Sequence, residues 1–211
     1  MNKLNQNTNL LKLIAIISML IDHIGMVFFP NAIILRCIGR IAFPLFFYST
    51  FIGYFKTKNI KKYIIRLLIL AIISEPIYIL LLDKIEINIC FSLMIELLIL
   101  YLLDKKMYLE YILLFTISLI FIPVTSYLLF ILFLTPIFFY TKNTKWLFSI
   151  SYILFIVLMV ILGYSKIYLL CLLALPLFII KLDYKININK YFFYAFYPVH
   201  LLVLYAIKLL F

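Results

Sequence analysis

Stretches of about 15 to 25 mostly apolar residues recur along this chain, and short clusters of charged and turn-forming residues separate them. A soluble domain is about half apolar and about a quarter charged, whereas 68% of these 211 residues are hydrophobic and 13% are charged. A water-soluble globule cannot bury such a surplus of apolar surface. The sequence therefore excludes a cytosolic enzyme, a secreted domain and a disordered chain, and it indicates an all-α, polytopic integral membrane helix bundle.

We expect about nine transmembrane helices, because a helix needs about 20 predominantly apolar residues to cross the ~30 Å hydrocarbon core. The predicted spans run approximately over residues 10–30, 31–55, 63–82, 87–103, 108–122, 124–140, 146–164, 166–181 and 191–211. The chain shows no internal repeat, and its longest polar stretch is Lys181–Lys190. We therefore predict a single transmembrane domain over residues 1–211. The first apolar stretch, which Asp22 and His23 interrupt, is too long for a cleavable signal peptide.

The lysines predict the orientation, since cytoplasmic loops of membrane proteins carry an excess of Lys and Arg. With a cytoplasmic N-terminus, thirteen lysines fall on the inner side: Lys3, Lys12, Lys56, Lys58, Lys61, Lys62, Lys105, Lys106, Lys142, Lys145, Lys181, Lys185 and Lys190. Three fall on the outer side: Lys84, Lys166 and Lys208. The formal net charge of +11 therefore indicates one basic face of a multi-pass protein of the plasma or inner membrane. It does not indicate binding to nucleic acid.

Several ionisable residues lie inside the predicted spans, where each costs about 2.5–3.5 kcal/mol near the helix centre and is a functional candidate by default. The charged ones are Asp22, Arg36, Arg40, Arg66, Glu75 and Glu96. Three positive and three negative charges balance, which favours mutual pairing. Both histidines of the chain, His23 and His200, also lie in spans. We interpret Arg66 as structural, because it can reach the inner interface, and Glu96, which no motif surrounds, as a packing acid.

The polar residues of five predicted helices reach similar depths, between the midplane and the outer half of the membrane. His23 lies past the middle of the first helix, and Arg36 and Arg40 share one face of the second because they are four residues apart. Asn88 and Ser92 repeat that spacing at the start of the fourth helix. Further polar residues at this depth lie in the third and last helices: Glu75 before the helix-kinking Pro76, and Tyr197 and His200 around Pro198.

Imidazoles, paired arginines and carboxylates in a lipid-sealed cavity suit general-base chemistry combined with binding of an anion or oxyanion. A neutral imidazole can take a proton from an amine or hydroxyl as a general base. Two arginines on one face offer N–H donors to phosphates or to an oxyanion, and carboxylates hold them in place. The chain has neither an H-E-x-x-H nor a G-x-S-x-G motif. Since Cys37, Cys90 and Cys171 have no paired spacing, we expect neither a disulfide framework nor a metal site.

Five segments together resemble the TraX family. They are Leu13–Pro30 (LIAIISMLIDHIGMVFFP), Leu35–Phe46 (LRCIGRIAFPLF), Leu70–Pro76 (LAIISEP), Asn88–Leu93 (NICFSL) and Phe196–Leu201 (FYPVHL). The resemblance is good over residues 10–104 and 191–205 and weak over 105–190. The namesake of the family is the membrane acetylase that modifies the N-terminus of F-type conjugative pilin. The family is similar to the wider transmembrane acyltransferases, which take acetyl-CoA at the cytosolic face and acetylate an acceptor on the far side.

The resemblance implies a role for each matching position. Asp22 and His23 would form the heart of the catalytic site, with His200 as a second essential imidazole. Arg36 and Arg40 would bind the cofactor or clamp an oxyanion. Supporting or substrate-binding roles would fall to the remaining polar positions: Glu75, Asn88, Ser92 and Tyr197.

We therefore expect an acetyl-CoA-dependent O- or N-acetyltransferase of the cell membrane. Its acceptor would be a peptide N-terminus or a glycan at the outer side. Two other functions stay open. A transporter or channel would use the buried charges as a relay, and a non-enzymatic assembly partner would use the membrane helices as a scaffold. The sequence shows no pair of related halves with broken helices, which is the signature of many transporters.

Overall fold

The computed structural model describes residues 4–121, 127–182 and 186–210. In these residues every regular element is helical, which confirms the predicted all-α class. Some sequence predictions fall outside the described residues. These are the topology assignments of Lys3 and Lys185, and the boundary at 122–124 between the fifth and sixth predicted spans.

The described residues form ten α-helices and one 3-10 helix. The α-helices are α1 (Thr8–Phe28), α2 (Ile33–Gly39), α3 (Ala42–Lys56), α4 (Ile60–Leu82), α5 (Ile89–Asp104), α6 (Tyr108–Leu119), α7 (Leu128–Thr141), α8 (Lys145–Ile161), α9 (Leu175–Ile179) and α10 (Lys190–Lys208). The 3-10 helix covers Lys166–Ala174 and leads directly into α9. Each predicted span thus contains helix, but the second is divided into α2 and α3, and the eighth begins as the 3-10 helix.

Within the part of the chain that the structure describes, four helical segments are long and apolar enough to cross a membrane: Thr8–Phe28, Ile33–Lys56, Ile60–Leu82 and Tyr191–Lys208. Shorter apolar helices account for four further segments: Tyr108–Leu119, Leu128–Thr141, Lys145–Ile161 and Lys166–Ile179. The chain is therefore a helical membrane protein with several long apolar helices. The count of about nine spans stays a prediction.

The chain divides into two compact units, each made of two separate stretches. Unit 1 comprises Met1–Ile52 and Ile137–Ile188, and unit 2 comprises Gly53–Pro136 and Asn189–Phe211. The prediction of a single domain over residues 1–211 stays a prediction. Each unit holds part of the polar residues that the sequence singled out.

Unit 1 has a core of buried aromatic side chains from α3, α8, α9 and the end of α7. Tyr48 stacks on Phe178 with ring centroids 4.4 Å apart, and Phe138 lies 4.2 Å from Phe148. All four side chains are fully buried. Large rings of this kind supply most of the buried apolar area in such a core, so they fix the frame on which α1 and α2 carry their polar groups.

Three asparagines at the N-terminus of unit 1 bind backbone carbonyls of the segment that follows the 3-10 helix. The side-chain amides of Asn5, Asn7 and Asn9 donate to the carbonyls of residues 177, 182 and 186 at 2.7, 3.1 and 3.0 Å. Asn7 also caps α1 by accepting from the Leu10 N–H. These bonds fix the start of α1 against the chain segment that leaves α9.

In unit 2, α4 packs against both α5 and α10. Hydrogen bonds tie the helix ends. The Tyr54 hydroxyl donates to Asp104 at 3.0 Å, and the Lys208 ammonium donates to the Leu81 carbonyl at 2.9 Å and to Asp83 at 2.5 Å. Lys208 thereby satisfies carbonyls at the C-terminus of α4, where a cation is favoured.

Candidate functional site

A buried ion cluster joins α1 to α2 in unit 1. Asp22, only 8% exposed, lies on α1, and its Oδ1 is 3.0 Å from Nη1 of Arg36. Nη2 of Arg40 donates to both carboxylate oxygens of Asp22 at 3.2 Å. One acid thus binds both arginines, and the three sequence-predicted residues come together as a triad.

Close approach of the two helices makes this triad possible. A Cβ on Gly39 would overlap the side chain of Asp22, and a Cβ on Gly25 would lie 2.7 Å from Cβ of Leu35. The Ser18 hydroxyl of α1 also donates to the Ile38 carbonyl of α2 at 2.5 Å. Small residues allow membrane helices to approach and pack in this way. Gly39 therefore makes the room that Asp22 occupies.

The two arginines differ in how fully they are bound. Arg40 is 6% exposed as a side chain, and its Nε donates to the Arg36 carbonyl at 3.3 Å while Nη2 binds Asp22. Arg36 is 27% exposed. Its buried Nη1 contacts Asp22 as an ion pair, but no N–H bond of this atom is aligned as a hydrogen bond to any described residue. Arg36 is therefore the more accessible of the two guanidinium groups.

Two contacts to Arg40 come from residues that sequence reasoning missed. The guanidinium of Arg40 lies over the ring of Tyr168, 5.4 Å from its centroid, and the Cys171 thiol donates to the Arg40 carbonyl at 3.3 Å. Both residues belong to the stretch 105–190, where the family resemblance is weak. The sequence does indicate that the Arg40 carbonyl lacks its usual helical donor, because Pro44, four residues later, has no N–H. It does not indicate which residue donates to this carbonyl instead.

His23 is buried on α1 directly after Asp22. On an α-helix adjacent side chains point about 100° apart, so His23 shares the helix turn of Asp22 but projects in another direction. The catalytic role that the sequence assigns to this imidazole stays a prediction.

Unit 2 contains a second polar cluster, centred on Glu75 and Asn88. Oε2 of Glu75 accepts from the side-chain amide of Asn88 at 2.5 Å and from its backbone N–H at 3.0 Å. The same amide donates to the Ala71 carbonyl at 2.9 Å, while Oδ1 of Asn88 accepts from the Cys90 N–H and caps α5. Asn88 therefore links the start of α5 to the turn of α4 that precedes Pro76.

His200 and Tyr197 lie on the buried side of α10. Nδ1 of His200 is 2.9 Å from the Phe196 carbonyl, and because a carbonyl only accepts, Nδ1 carries the proton and Nε2 the lone pair. The Tyr197 ring lies 5.5 Å from the His200 ring. The hydroxyl of Tyr197 is buried and has no hydrogen-bond partner among the described residues.

Three other polar residues of unit 2 that belong to predicted spans have distinct environments. Ser92 is buried on α5. Glu96 is fully buried on the same helix, and neither carboxyl oxygen has a hydrogen-bond partner in the described part of the chain. Arg66 donates to the Tyr194 hydroxyl at 3.4 Å and lies over the rings of Tyr63 and Tyr194, which is consistent with the structural role expected for it.

Among residues 4–121, 127–182 and 186–210, no three His, Cys, Asp or Glu side chains form a group that could hold a metal ion. The structure thus brings together Asp22, Arg36 and Arg40 in unit 1, and Glu75 and Asn88 in unit 2. Their assignment to catalysis, cofactor binding or substrate binding stays a prediction.

Comparison with known proteins gives two curated relatives. A "Probable fimbrial assembly protein FimC, serogroup H1" from Dichelobacter nodosus is 38% identical over 72 residues, which cover 32% of this chain and 30% of the relative. An "Uncharacterized protein RP591" from Rickettsia prowazekii (strain Madrid E) is 44% identical over 78 residues, which cover 36% of this chain and 30% of the relative. The matches therefore span less than a third of each relative's length. No solved structure matches the chain.

The family comparison covers far more of the sequence. The model described as "TraX protein" matches residues 7–208, and it includes the stretch 105–190 in which the motifs gave little resemblance. Its range contains all the residues of the two polar clusters. This chain therefore belongs to the TraX family.

Proposed function

We propose that this protein is an acetyltransferase that moves an acetyl group from cytosolic acetyl-CoA to an acceptor at the outer side of the membrane. The observation that carries the proposal is the triad of Asp22, Arg36 and Arg40 in a chain of the TraX family, with the buried His23 next to Asp22 in the sequence. Two arginines that one carboxylate holds in place are the fixed positive groups that acyl transfer needs for a developing oxyanion.

In the proposed reaction the acceptor N or O bonds to the thioester carbonyl carbon while His23 takes the proton of that amine or hydroxyl as general base, and the negative charge moves to the carbonyl oxygen. Arg36 stabilises this oxyanion, because its side chain is 27% exposed whereas that of Arg40 is 6% exposed. Collapse of the intermediate breaks the C–S bond, and the thiolate of CoA takes the proton from His23.

Within this proposal Arg36 and Arg40 have different tasks. Arg40 is bound by Asp22 and by the Arg36 carbonyl, so it holds the geometry of the triad. Arg36 contacts the reacting oxygen or a phosphate of the cofactor. His200 would act as a second imidazole, and its Nε2 has the lone pair that a base requires.

The acceptor that we favour is the N-terminal amine of a pilus or fimbrial subunit. The Dichelobacter relative is named as a fimbrial assembly protein, and pilin is the acceptor of the family's namesake. A cell-surface glycan hydroxyl is the other acceptor class. Acetylation of a free N-terminus removes a positive charge, whereas a glycan yields an ester that mild base cleaves, so the product distinguishes the two.

The test is transfer of labelled acetyl groups by the purified protein in lipid nanodiscs, with a panel of peptide amines and sugars. We expect labelled product and free CoA from the wild type, and neither from His23→Ala protein that inserts and folds normally. Tyr140→Leu, a change at an exposed tyrosine of unit 1, serves as the control. Folded wild-type protein that releases no CoA with any acceptor would exclude the proposal.

One observation favours a transporter as the second candidate. Glu96 is fully buried without a hydrogen-bond partner among the described residues, and such acids mark ion pathways in membrane proteins. Flux of protons or anions into liposomes in the absence of CoA, abolished by Glu96→Gln, would support that function. A scaffold, in contrast, would tolerate both His23→Ala and Glu96→Gln.

A further inference from the structure

The 3-10 helix Lys166–Ala174 contacts Arg40 in two places. The ring of Tyr168 lies under the guanidinium at 5.4 Å, within the range of a cation–π interaction. The Cys171 thiol donates to the Arg40 carbonyl at 3.3 Å. One short segment thus binds the side chain and the backbone of the same arginine.

The helix type explains how both residues reach Arg40. A 3-10 helix has three residues per turn, so that side chains at i and i+3 eclipse each other. Tyr168 and Cys171 therefore lie on one face, whereas in an α-helix they would diverge by about 60°. Runs of 3-10 helix longer than three or four residues are uncommon, but this one covers nine.

The bond from Cys171 to the Arg40 carbonyl replaces a helical hydrogen bond that the sequence removes. In a continuous helix the Arg40 carbonyl would accept from the N–H of residue 44, but Pro44 has none. The thiol of Cys171 binds this carbonyl instead. A buried carbonyl without a donor is costly, so Cys171 stabilises the turn between α2 and α3.

The 3-10 helix is itself anchored to the core of unit 1. The hydroxyl of Tyr152, a fully buried residue of α8, donates to the Cys171 carbonyl at 2.7 Å. The contacts therefore run from α8 through Cys171 to Arg40, and from Arg40 to Asp22.

We propose that the 3-10 helix is a positioning element of the arginine triad and that Tyr168 is its positioning residue. Tyr168 holds the Arg40 guanidinium against Asp22, which leaves Arg36 as the arginine that meets the anion. This inference rests on the proposed function for its catalytic consequence, but the contact itself can be tested without any turnover.

The first experiment maps arginine reactivity with 2,3-butanedione and mass spectrometry on protein in nanodiscs. The chain has three arginines, Arg36, Arg40 and Arg66, so each site is resolved. In the wild type we expect Arg36 to react and Arg40 to be protected. Tyr168→Leu should raise the reactivity of Arg40 by roughly 2- to 30-fold, the range that one cation–π contact gives.

Matched variants separate positioning from general loss of structure. Tyr168→Phe keeps the ring face, so Arg40 should stay protected, and Tyr140→Leu should leave the pattern unchanged. Tyr168→Met, a flexible apolar side chain, replaces Tyr168→Leu if the latter fails to insert. Protection of Arg40 in both apolar variants, or equal reactivity in the Phe and Leu variants, would overturn the inference.

The second experiment measures kinetics with acetyl-CoA. Tyr168→Leu should lower kcat at least about tenfold and change KM less than about threefold. Displacement of the arginine donors weakens binding of the transition state more than binding of the substrate. Tyr168→Phe should restore kcat. If the wild type shows no acetyl transfer, the proposed function is excluded, but the map of arginine reactivity still tests the positioning role. If the wild type is active and Tyr168→Leu leaves the arginine reactivities unchanged, only the positioning role is excluded.

Discussion

Asp22 is the residue on which the contacts of the unit 1 site converge. It binds Arg36 and Arg40 and occupies space that only a glycine at position 39 provides. Loss of one partner from a buried ion pair leaves an uncompensated charge, which costs more than the pair contributes when intact. The residue is therefore expected to affect both stability and activity.

Asp22→Asn should lower the free energy of unfolding by about 3–5 kcal/mol, because the two arginines lose their counter-charge in a buried site. Acetyl transfer should fall to background. Denaturant titration in mixed micelles measures the first quantity and labelled acetyl-CoA the second. Asp83→Asn is the control, since Asp83 pairs with Lys208 at an exposed position and should cost less than about 1 kcal/mol. Equal losses in the two variants would contradict this account of Asp22.

Gly39→Ala should displace the Asp22 side chain, because the added Cβ overlaps it. We expect a destabilisation of about 1–3 kcal/mol and a loss of transfer of about a hundredfold, the effect of a misplaced catalytic group. Gly53→Ala is the matched change, where the nearest atom is the movable end of Tyr63 at 3.0 Å. It should be neutral or slightly stabilising in its helix. Normal activity of Gly39→Ala protein would show that the Asp22 geometry is not required.

At the scale of elements, the ends of helices carry much of the polar organisation. Asn88 caps α5 and at the same time binds Glu75 and the Ala71 carbonyl of α4. Asn59 caps α4 through the Lys62 N–H alone at the exposed end of the helix. Asn88 is therefore a cap that also joins two helices, whereas Asn59 caps a single helix.

Asn88→Ala should destabilise unit 2 by more than Asn59→Ala. Loss of a cap costs about 0.5–2 kcal/mol in either case, and at Asn88 the loss of the donors to the half-buried Glu75 carboxylate adds to that cost. Unfolding followed by tyrosine fluorescence in mixed micelles gives both values. If Asn59→Ala proves the more costly change, the link from Asn88 to Glu75 contributes little to stability.

At the scale of the whole molecule, charge asymmetry predicts the orientation in the membrane. The loop between α4 and α5 carries Lys84, and the turn between α5 and α6 carries Lys105 and Lys106. Thirteen of the sixteen lysines fall on the side assigned to the cytoplasm. An excess of this kind sets the orientation of multi-span proteins.

Lys84→Cys should react with a membrane-impermeant maleimide in intact cells, and Lys106→Cys only after the cells are permeabilised. The unaltered chain, with Cys90 and Cys171 buried and Cys37 half-buried, gives the background. The reverse pattern would invert the predicted topology. It would also place the basic loops on the side away from cytosolic acetyl-CoA, and so exclude the proposed direction of transfer.

The sequence by itself determined the class of the protein, the approximate position of the helices and the polar residues inside them. These are local properties, because the length of an apolar stretch and the presence of a charge within it need no knowledge of neighbours. The sequence also showed the family through the motifs around Asp22, Arg40, Glu75 and His200, and the match over residues 7–208 confirms it.

Only the tertiary structure decided which groups meet. From the sequence, Arg36 and Arg40 are equivalent, because their spacing only places them on the same helix face. The structure distinguishes them: the Arg40 side chain donates to Asp22 and to the Arg36 carbonyl and is 6% exposed, whereas the Arg36 side chain is 27% exposed. Tyr168 and Cys171 lie more than 120 residues from Arg40 in the sequence, and no local pattern marks them as its partners. Their place depends on a 3-10 helix and on the close approach at Gly39, and both result from packing between distant segments.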